Sequence, residues 1–557
     1  MRRTMRLPAG LVAIALLAAA CSGGGGSTSA GSSGGVKNGG TLRIGTASGI
    51  DSLNPFVAQQ QDAYSTFEYI YPFLVQYNTN DLQFTGDFAT SWNESADGLT
   101  WTFHTHPNAK WSDGQPLTAN DAAWTLNTIL KFSNGPTGNS AGMLAHVKSV
   151  TAPDANTLVI TYQKPVANVL SNLQQVAILP EHVWQQYATG KGTGLRTYNN
   201  QPTPGHPVVS GGPFVLVSYT PKQIALFQRN PNFYGRKPHI DGFGLQYFAN
   251  DDAMITALKS HQIDAVETVP VTSVATLKAA GLHVYVGPGL EFHDFIINAN
   301  PKKTTHRELL NPLVREAFEY AINRQQIVKT AWLGYAQPGA SIVPPGTGAW
   351  SDPSVTPLPF DIQKANQLLD QAGYKRGPNG IRIADGHPMS YQVIFPNDEA
   401  GAGDRAFQII QAGFQQIGVQ LQQRPMDDTA AFNAISAPNS TYQTFDLAMW
   451  DWVPLEDPDF ILSVLTCSQY GNWSDSGYCN PAYDKLYQEQ GVAVNPKARQ
   501  QLVYQMQQMI YNARPYIVLN YQDVIDAWWN NWTGFVESNQ NFFNPLSKQS
   551  LTEVHQT

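Results

Sequence analysis

Two cysteines, Cys467 and Cys479, and one close histidine pair, His104 and His106, are the most conspicuous reactive groups in this 557-residue chain. The cysteines bracket Gly471, Asn472, Ser474, Asp475, Ser476 and Gly477, a surface-loop composition. In an oxidising compartment they are expected to pair as a disulfide, worth about 3 kcal/mol by loop-closure entropy. Free thiols or a metal are the alternatives. Zinc is disfavoured because no second Cys or His pair lies nearby at ligand spacing. His104 and His106 share one face of a strand by alternation but have no third ligand close by. The other histidines are scattered, so no metal site is expected. No G-x-S-x-G, H-E-x-x-H or P-loop pattern occurs. No catalytic residues and no cofactor are expected, and the chain reads as a protein other than an enzyme.

The N-terminus carries a different chemistry. Arg2, Arg3 and Arg6 precede an apolar run over 11–20, then Cys21. That run is too short for the roughly 20 residues a bilayer span needs, and reads as the core of a signal peptide over 1–20. Residues 16–21, Leu-Leu-Ala-Ala-Ala-Cys, resemble the lipobox of bacterial lipoproteins, in which the cysteine is acylated. Ala18 departs from the Leu, Val or Ile usual three residues before it. Simple secretion is the alternative. Residues 22–35, almost entirely Gly, Ser, Thr and Ala, then serve as a tether whose ends average about 20 Å apart. The expected location is extracytoplasmic, held to the membrane by lipid alone. Removing 1–20 takes three arginines from a net charge of −8, leaving −11. Nucleic acid or anionic lipid as a partner would need the opposite sign.

Beyond the tether, strands and helices alternate. Strands are expected at 40–45, 99–107, 147–150, 157–162, 214–219, 224–229, 265–268, 389–395, 419–424 and 516–521. Helices are expected at 63–77, 119–132 with Thr118 as N-cap, 180–187, 251–260, 312–333, 362–372, 405–417 and 496–511. This is an α/β pattern with mixed sheets.

The segment 99–121, LTWTFHTHPNAKWSDGQPLTAND, resembles the signature of family 5 extracellular solute-binding proteins, the oligopeptide- and dipeptide-binding proteins of ABC importers. Further matches follow in order: 39–44 with Leu53-Asn54-Pro55, Ser210-Gly-Gly-Pro-Phe214, 226–238, 258–264, 313–324 and 364–374. The resemblance spans essentially residues 37–555. It implies a two-lobed, periplasmic-binding-protein-like fold of class II, in the larger cluster with an extra subdomain. Two hinge strands are implied at 292–298 and 516–521. Lobe I is expected at 37–296, including the subdomain at about 80–185, lobe II at 297–517, and a return to lobe I at 518–557. Within the signature, Trp101, Phe103 and Trp111 are expected in the core, with Lys110 beside the Asp113-Gly114 turn.

The resemblance also implies where a ligand sits. Hinge closure brings both lobes onto it, so binding shifts the population toward the closed form. Family members hold a peptide's ammonium terminus with an Asp that follows a Trp in a loop before Asp-Pro. The matching segment is 448–459, and it departs: Pro454 occupies the family's position. Asp451, between Trp450 and Trp452, and Glu456 are the candidate anchors, and a ligand without a free amine is the alternative. Trp450 and Trp452 are candidate cleft walls. On lobe I, Asp51 and Asn54 follow the first strand, where α/β sheets bind ligands. Gly211 and Gly212 are expected to offer backbone groups. The implied partners are a peptide or other small solute and an ABC permease with its ATPase, the protein itself being a monomer. The rivals are a different solute (opine, glycoside, haem or metal chelate) and a receptor outside transport.

Overall fold

The fold is that of a computed structural model, which describes residues 36–47, 49–58, 61–78, 83–397, 401–436, 445–537 and 546–557. The expected signal peptide, Cys21 and the tether up to residue 35 lie outside the described residues, as does Ser48. Among those described, no helix is long and apolar enough to cross a membrane.

Residues 37–557 form one body around an eleven-stranded sheet. From one edge the strands run Gln420–Met426, Ser390–Pro396, Leu447–Trp452, His283–Ile297, Tyr516–Trp528, Ala265–Val266, Thr41–Thr46, Gly242–Tyr247, Ile224–Arg229 and Phe214–Thr220; Ala336–Pro338 also pairs with Tyr516–Trp528. Among the described residues, the outgoing strand His283–Ile297 and the return strand Tyr516–Trp528 are the two that serve both halves. Their early and late ends, respectively, pack with Ala265–Val266 and a core built from residues such as Met254, Leu258 and Ile525. At the other end the outgoing strand pairs with Leu447–Trp452, and both strands enter cores that include Phe295, Ile296, Ile517 and Val518.

The hinge strands are longer than the sequence suggests. Gly287, Pro288 and Gly289 argue against a strand start before 292, yet all three lie within one. They are accommodated by a register shift between Pro288 and Phe292, opposite Tyr521–Asp523 of the return strand. A Cβ on residue 289 would lie 2.4 Å from the Gln522 carbonyl oxygen, so only glycine fits this crossover. The change of core clusters falls at this shift, a few residues before the expected hinge at 292–298.

A four-stranded antiparallel sheet stands apart, in the order Ala89–Glu94, Thr100–Thr105, Thr157–Tyr162, Val147–Asp154. Helix Ala119–Lys131 covers it, started by a capping box in which Thr118 accepts from Asn120 N and Asp121 accepts from Thr118 N. Phe103 and Trp111 are fully buried, as the signature reading requires, and Trp101 is half-buried against Phe103. Asp113 pairs with His182 at 2.8 Å, whereas Lys110 is exposed.

Two helices are shorter than their periodicity suggests. The first ends at Ile70, because Pro72 has no N–H and disfavours a helical Tyr71, and Val75–Tyr77 becomes a strand. The expected helix at 312–333 stops at Tyr320. Asn323 then caps a new turn through its side chain, and a π-helical segment follows over Ile327–Ala331. The expected disulfide joins Cys467 to Cys479.

Candidate functional site

Strand direction locates the cleft. Thr41–Thr46 runs parallel to Ala265–Val266, which runs antiparallel to the return strand with Val266 opposite Ala527. The carboxyl ends of lobe I's parallel strands therefore point along the return strand toward Tyr521. In lobe II, Leu447–Trp452 runs antiparallel to the outgoing strand and ends at Trp452 opposite Phe292. Its carboxyl end, like that of the parallel strand Ser390–Pro396, points back toward the crossover. The loops after Thr46 and after Trp452 thus face one another across the hinge, the position at which open α/β sheets bind ligands.

The two lobes touch beside this junction. Ser171 Oγ donates to Asp457 Oδ2 at 3.1 Å, and Ala167 N donates to the Gly491 carbonyl at 3.0 Å. Asp457 is held by Arg499 through two bonds of 2.6 Å each.

The carboxylates here are short of compensation. Glu456 is 4% exposed, and its Oε1 accepts no hydrogen bond among the described residues. Burial pushes its carboxyl up to about 8, with the charges of Glu68 and Asp457 adding to the shift. Glu68, on lobe I helix Gln61–Ile70, is raised to about 7 by burial. It lines a cavity with Tyr77, Asp87, Gln174 and Lys548. Beneath the lobe I strand ends, Asp62, Glu267 and Asp526 cluster, each raised above the ordinary carboxylate range, first by burial. Acids that desolvate and repel one another this way favour either protons or a bound cation.

Placement separates residues that the sequence groups together. Strand alternation sets Trp450 and Trp452 on one face and Asp451 on the other, opposite His293 in the register. Trp452 is a core side chain: it is 7% exposed and its indole N–H donates to Asp475 at 3.0 Å. Trp450 is half-buried, 6.0 Å from Phe432 in ring centroids. Phe432 and Phe460 in turn flank Trp473, which is 46% exposed. Glu68, Phe432 and Trp473 stand in no motif that the sequence singles out. An exposed tryptophan in the polar loop between two cysteines was the available signal for the last.

On lobe I, Asp51 is exposed, and its charge raises the phenols of Tyr64 and Tyr219 beyond the effect of burial. Asn54 is 1% exposed and fully engaged: its Nδ2 donates to the Leu195 and Tyr198 carbonyls, and its Oδ1 accepts from Phe56 N. It pins a loop and leaves nothing for a ligand. Gly211 and Gly212 both donate their N–H to the Ile70 carbonyl. A Cβ there would meet the Trp111 ring at 2.9 Å or the Tyr69 carbonyl oxygen at 2.4 Å, so these glycines serve packing.

Two lobes, a paired-strand hinge and facing strand ends define a periplasmic-binding-protein-like fold. Residues 83–472 match the middle region of the bacterial extracellular solute-binding proteins, family 5, and the chain belongs to that family. The family is one of solute binders rather than a class of enzymes. Protein XP55 of Streptomyces lividans is 27% identical over 505 residues, covering 90% of this chain and 87% of that protein. The ABC transporter-associated periplasmic binding protein DppA from Helicobacter pylori, in complex with peptide STSA, matches with a TM-score of 0.75 at 21% identity, over 93% of this chain and 98% of that one. NikA from Brucella suis, in complex with Fe(III)-EDTA, matches with a TM-score of 0.78 at 18% identity, over 93% and 100%.

Proposed function

We propose that this chain is the extracytoplasmic receptor of an ABC importer, lipidated at Cys21, that closes its lobes on a peptide whose ammonium group lies between Glu456 and Glu68. The observation that carries the reading is the excess of buried and half-buried, mutually repelling carboxylates on both sides of the junction. An ammonium group would supply the missing countercharge, and it would do so only in the closed form. The aromatic surface of Phe432, Trp450, Phe460 and Trp473 offers large contact area for side chains without demanding a particular one. The peptide named for Helicobacter pylori DppA agrees with this. The chelate named for Brucella suis NikA keeps a second reading open, in which a non-peptide solute occupies the same cleft.

Thermal-shift screening of a peptide library against sugars and metal chelates separates the two, because stabilisation follows RT ln(1 + [L]/Kd). A rise in Tm with peptides is expected; a response to chelates or sugars alone overturns the proposal. Within it, Glu456→Gln is expected to weaken peptides with a free amine at least about tenfold, the order of one lost charge-assisted hydrogen bond, while sparing N-acetylated ones. Asp451→Asn, on the other face of its strand, is expected to affect both kinds equally. Isothermal titration with matched peptides reads the difference, and selective loss in Asp451→Asn instead would make that residue the anchor.

Glu456 also predicts a pH dependence of stability. Its folded value of about 8 lies above the ordinary 4.5, so between these values the folded chain binds more protons than the unfolded one. The contribution to stability is therefore complete below about pH 4.5 and is lost as pH rises toward 8. Glu456→Gln cannot ionise and escapes that loss. Its Tm is expected to match the parent's near pH 4.5 and exceed it at pH 8, which calorimetry across that range measures. A constant difference at all pH values would show that folding does not raise the Glu456 carboxyl.

A further inference from the structure

We propose that His306, Glu308 and His387 form a divalent-metal site, of the kind that takes Zn²⁺, at the end of lobe II remote from the cleft. Ile297 pairs with Leu447 at that end, six residues along each strand from the Phe292–Trp452 pair beside the crossover. His306 and Glu308 lie in the loop that leaves the outgoing strand, Glu308 within the short turn Arg307–Leu310. His387 comes from a separate hairpin, in which His387–Pro388 pairs with Ile383–Ala384 across the turn at Asp385 and Gly386. Folding thus brings His387 to a His306-x-Glu308 pair from which it is distant in sequence.

One ligand atom from each residue can be chosen so that all lie within 4.8 Å of one another. His306 Nδ1 is 3.1 Å from Glu308 Oε1, and His387 Nε2 is 3.8 Å from Glu308 Oε2. Donors bound to one zinc at about 2.1 Å in a tetrahedron stand roughly 3.4 Å apart, so little movement closes the set.

The state of Glu308 argues for a cation. Its side chain is fully buried, yet Oε2 accepts no hydrogen bond among the described residues. Its other oxygen is held by the Tyr391 hydroxyl, which donates at 2.8 Å, and by the hydrogen bond with His306 Nδ1 at 3.1 Å, leaving Oε2 beside His387. A buried carboxylate oxygen left unbonded is costly unless a cation meets it. The histidines are partly open to solvent, 25% and 38% exposed in their side chains, which gives an ion access. His306 Nε2 faces Asp446 Oδ2 at 3.9 Å, placing a carboxylate behind the ring as ligating histidines commonly have. The nearby Lys303 does not oppose a cation, since its ammonium is 2.8 Å from Asp446 Oδ1 and 2.7 Å from the Phe445 carbonyl. His306 itself adopts the left-handed conformation at φ 49°, an uncommon one that this cluster would help to hold.

Two nitrogens and one carboxylate oxygen, with a fourth position open to water, suit Zn²⁺ and its spectroscopic substitute Co²⁺. The experiment titrates Co²⁺, then Zn²⁺, into the metal-free full chain, reading visible absorption and Tm. One tetrahedral Co²⁺ per chain, displaced by Zn²⁺, is expected. His387→Ala and, separately, His306→Gln are expected to abolish the spectrum, with folding checked by circular dichroism. Tyr391→Phe is expected to weaken the ion by about 10–100-fold while leaving the bands in place, as loss of an orienting partner does. His104→Ala with His106→Ala is expected to change nothing, and cleft-ligand affinity should stay the same with or without metal. No saturable one-to-one binding, or binding unchanged in His387→Ala, overturns the proposal.

Discussion

Arg499→Ala is expected to lower the unfolding free energy by about 3–5 kcal/mol, the range for a buried ion pair that loses one partner. Arg499 is 3% exposed. Its two terminal nitrogens grip both oxygens of Asp457 at 2.6 Å, and its Nε donates to Gln490 at 2.9 Å. The guanidinium also lies 4.7 Å over the Trp350 ring. Gln490 in turn donates to Asp459 at 2.5 Å, and Tyr487 donates to the other oxygen of that carboxylate. Alanine would leave buried Asp457 facing half-buried Asp459, whose carboxyl is already pushed upward by desolvation and then by the charge of Asp457. The loss also reaches function, because Asp457 is the group that receives Ser171 from lobe I. Chemical denaturation measures the stability, and a cycle with Asp457→Asn isolates the pair. If the double variant is as unstable as the sum of the single ones, the two side chains do not act as a unit.

Trp452→Ala is expected to cost a similar amount, about 3–5 kcal/mol for a large buried aromatic. The cavity would open among Phe292, Ile461 and Tyr521, which share its core. The indole is also one of two side-chain donors to Asp475 among the described residues, the Tyr516 hydroxyl being the other. Burial already lifts Asp475 to about 7 against those donors, so removing one raises it further. Trp452→Phe keeps most of the volume and is expected to lose only the hydrogen bond, about 1–3 kcal/mol for the acceptor left buried. Trp450→Ala makes the contrast. That ring is half-buried in the open aromatic group, so its loss is expected to appear mainly in ligand affinity. Urea midpoints and titrations on the three variants test this together. A stable Trp452→Ala with weakened binding would return Trp452 to the cleft wall.

The sequence by itself determined the class of fold and most of its elements. Alternation marks Thr41–Thr46, turn-bounded apolar runs mark the Phe214–Arg229 hairpin and the strands Ser390–Pro396 and Gln420–Met426, and capping marks Ala119–Lys131, because these signals act over a few residues. Leu447–Trp452 is not among the expected strands. The aromatic and Gly-Pro pattern of 99–121 named the family, which the match over 83–472 bears out. The disulfide too was legible, since the loop that separates its cysteines by 12 positions leaves them free to meet.

What only the tertiary structure decided is which polar groups remain available. Asn54, Gly211 and Gly212 carry the composition of a ligand loop, but partners distant in sequence consume their hydrogen bonds. Trp450 and Trp452 are the same residue type two positions apart, yet the indole of Trp452 meets Asp475 whereas Trp450 is half-buried beside Phe432. Glu456 and Glu68 acquire their meaning from a hinge that brings two strand ends face to face, and His306 and His387 from a loop and a hairpin at its far end. Burial and charge depend on everything packed around a group, and local spacing does not encode that.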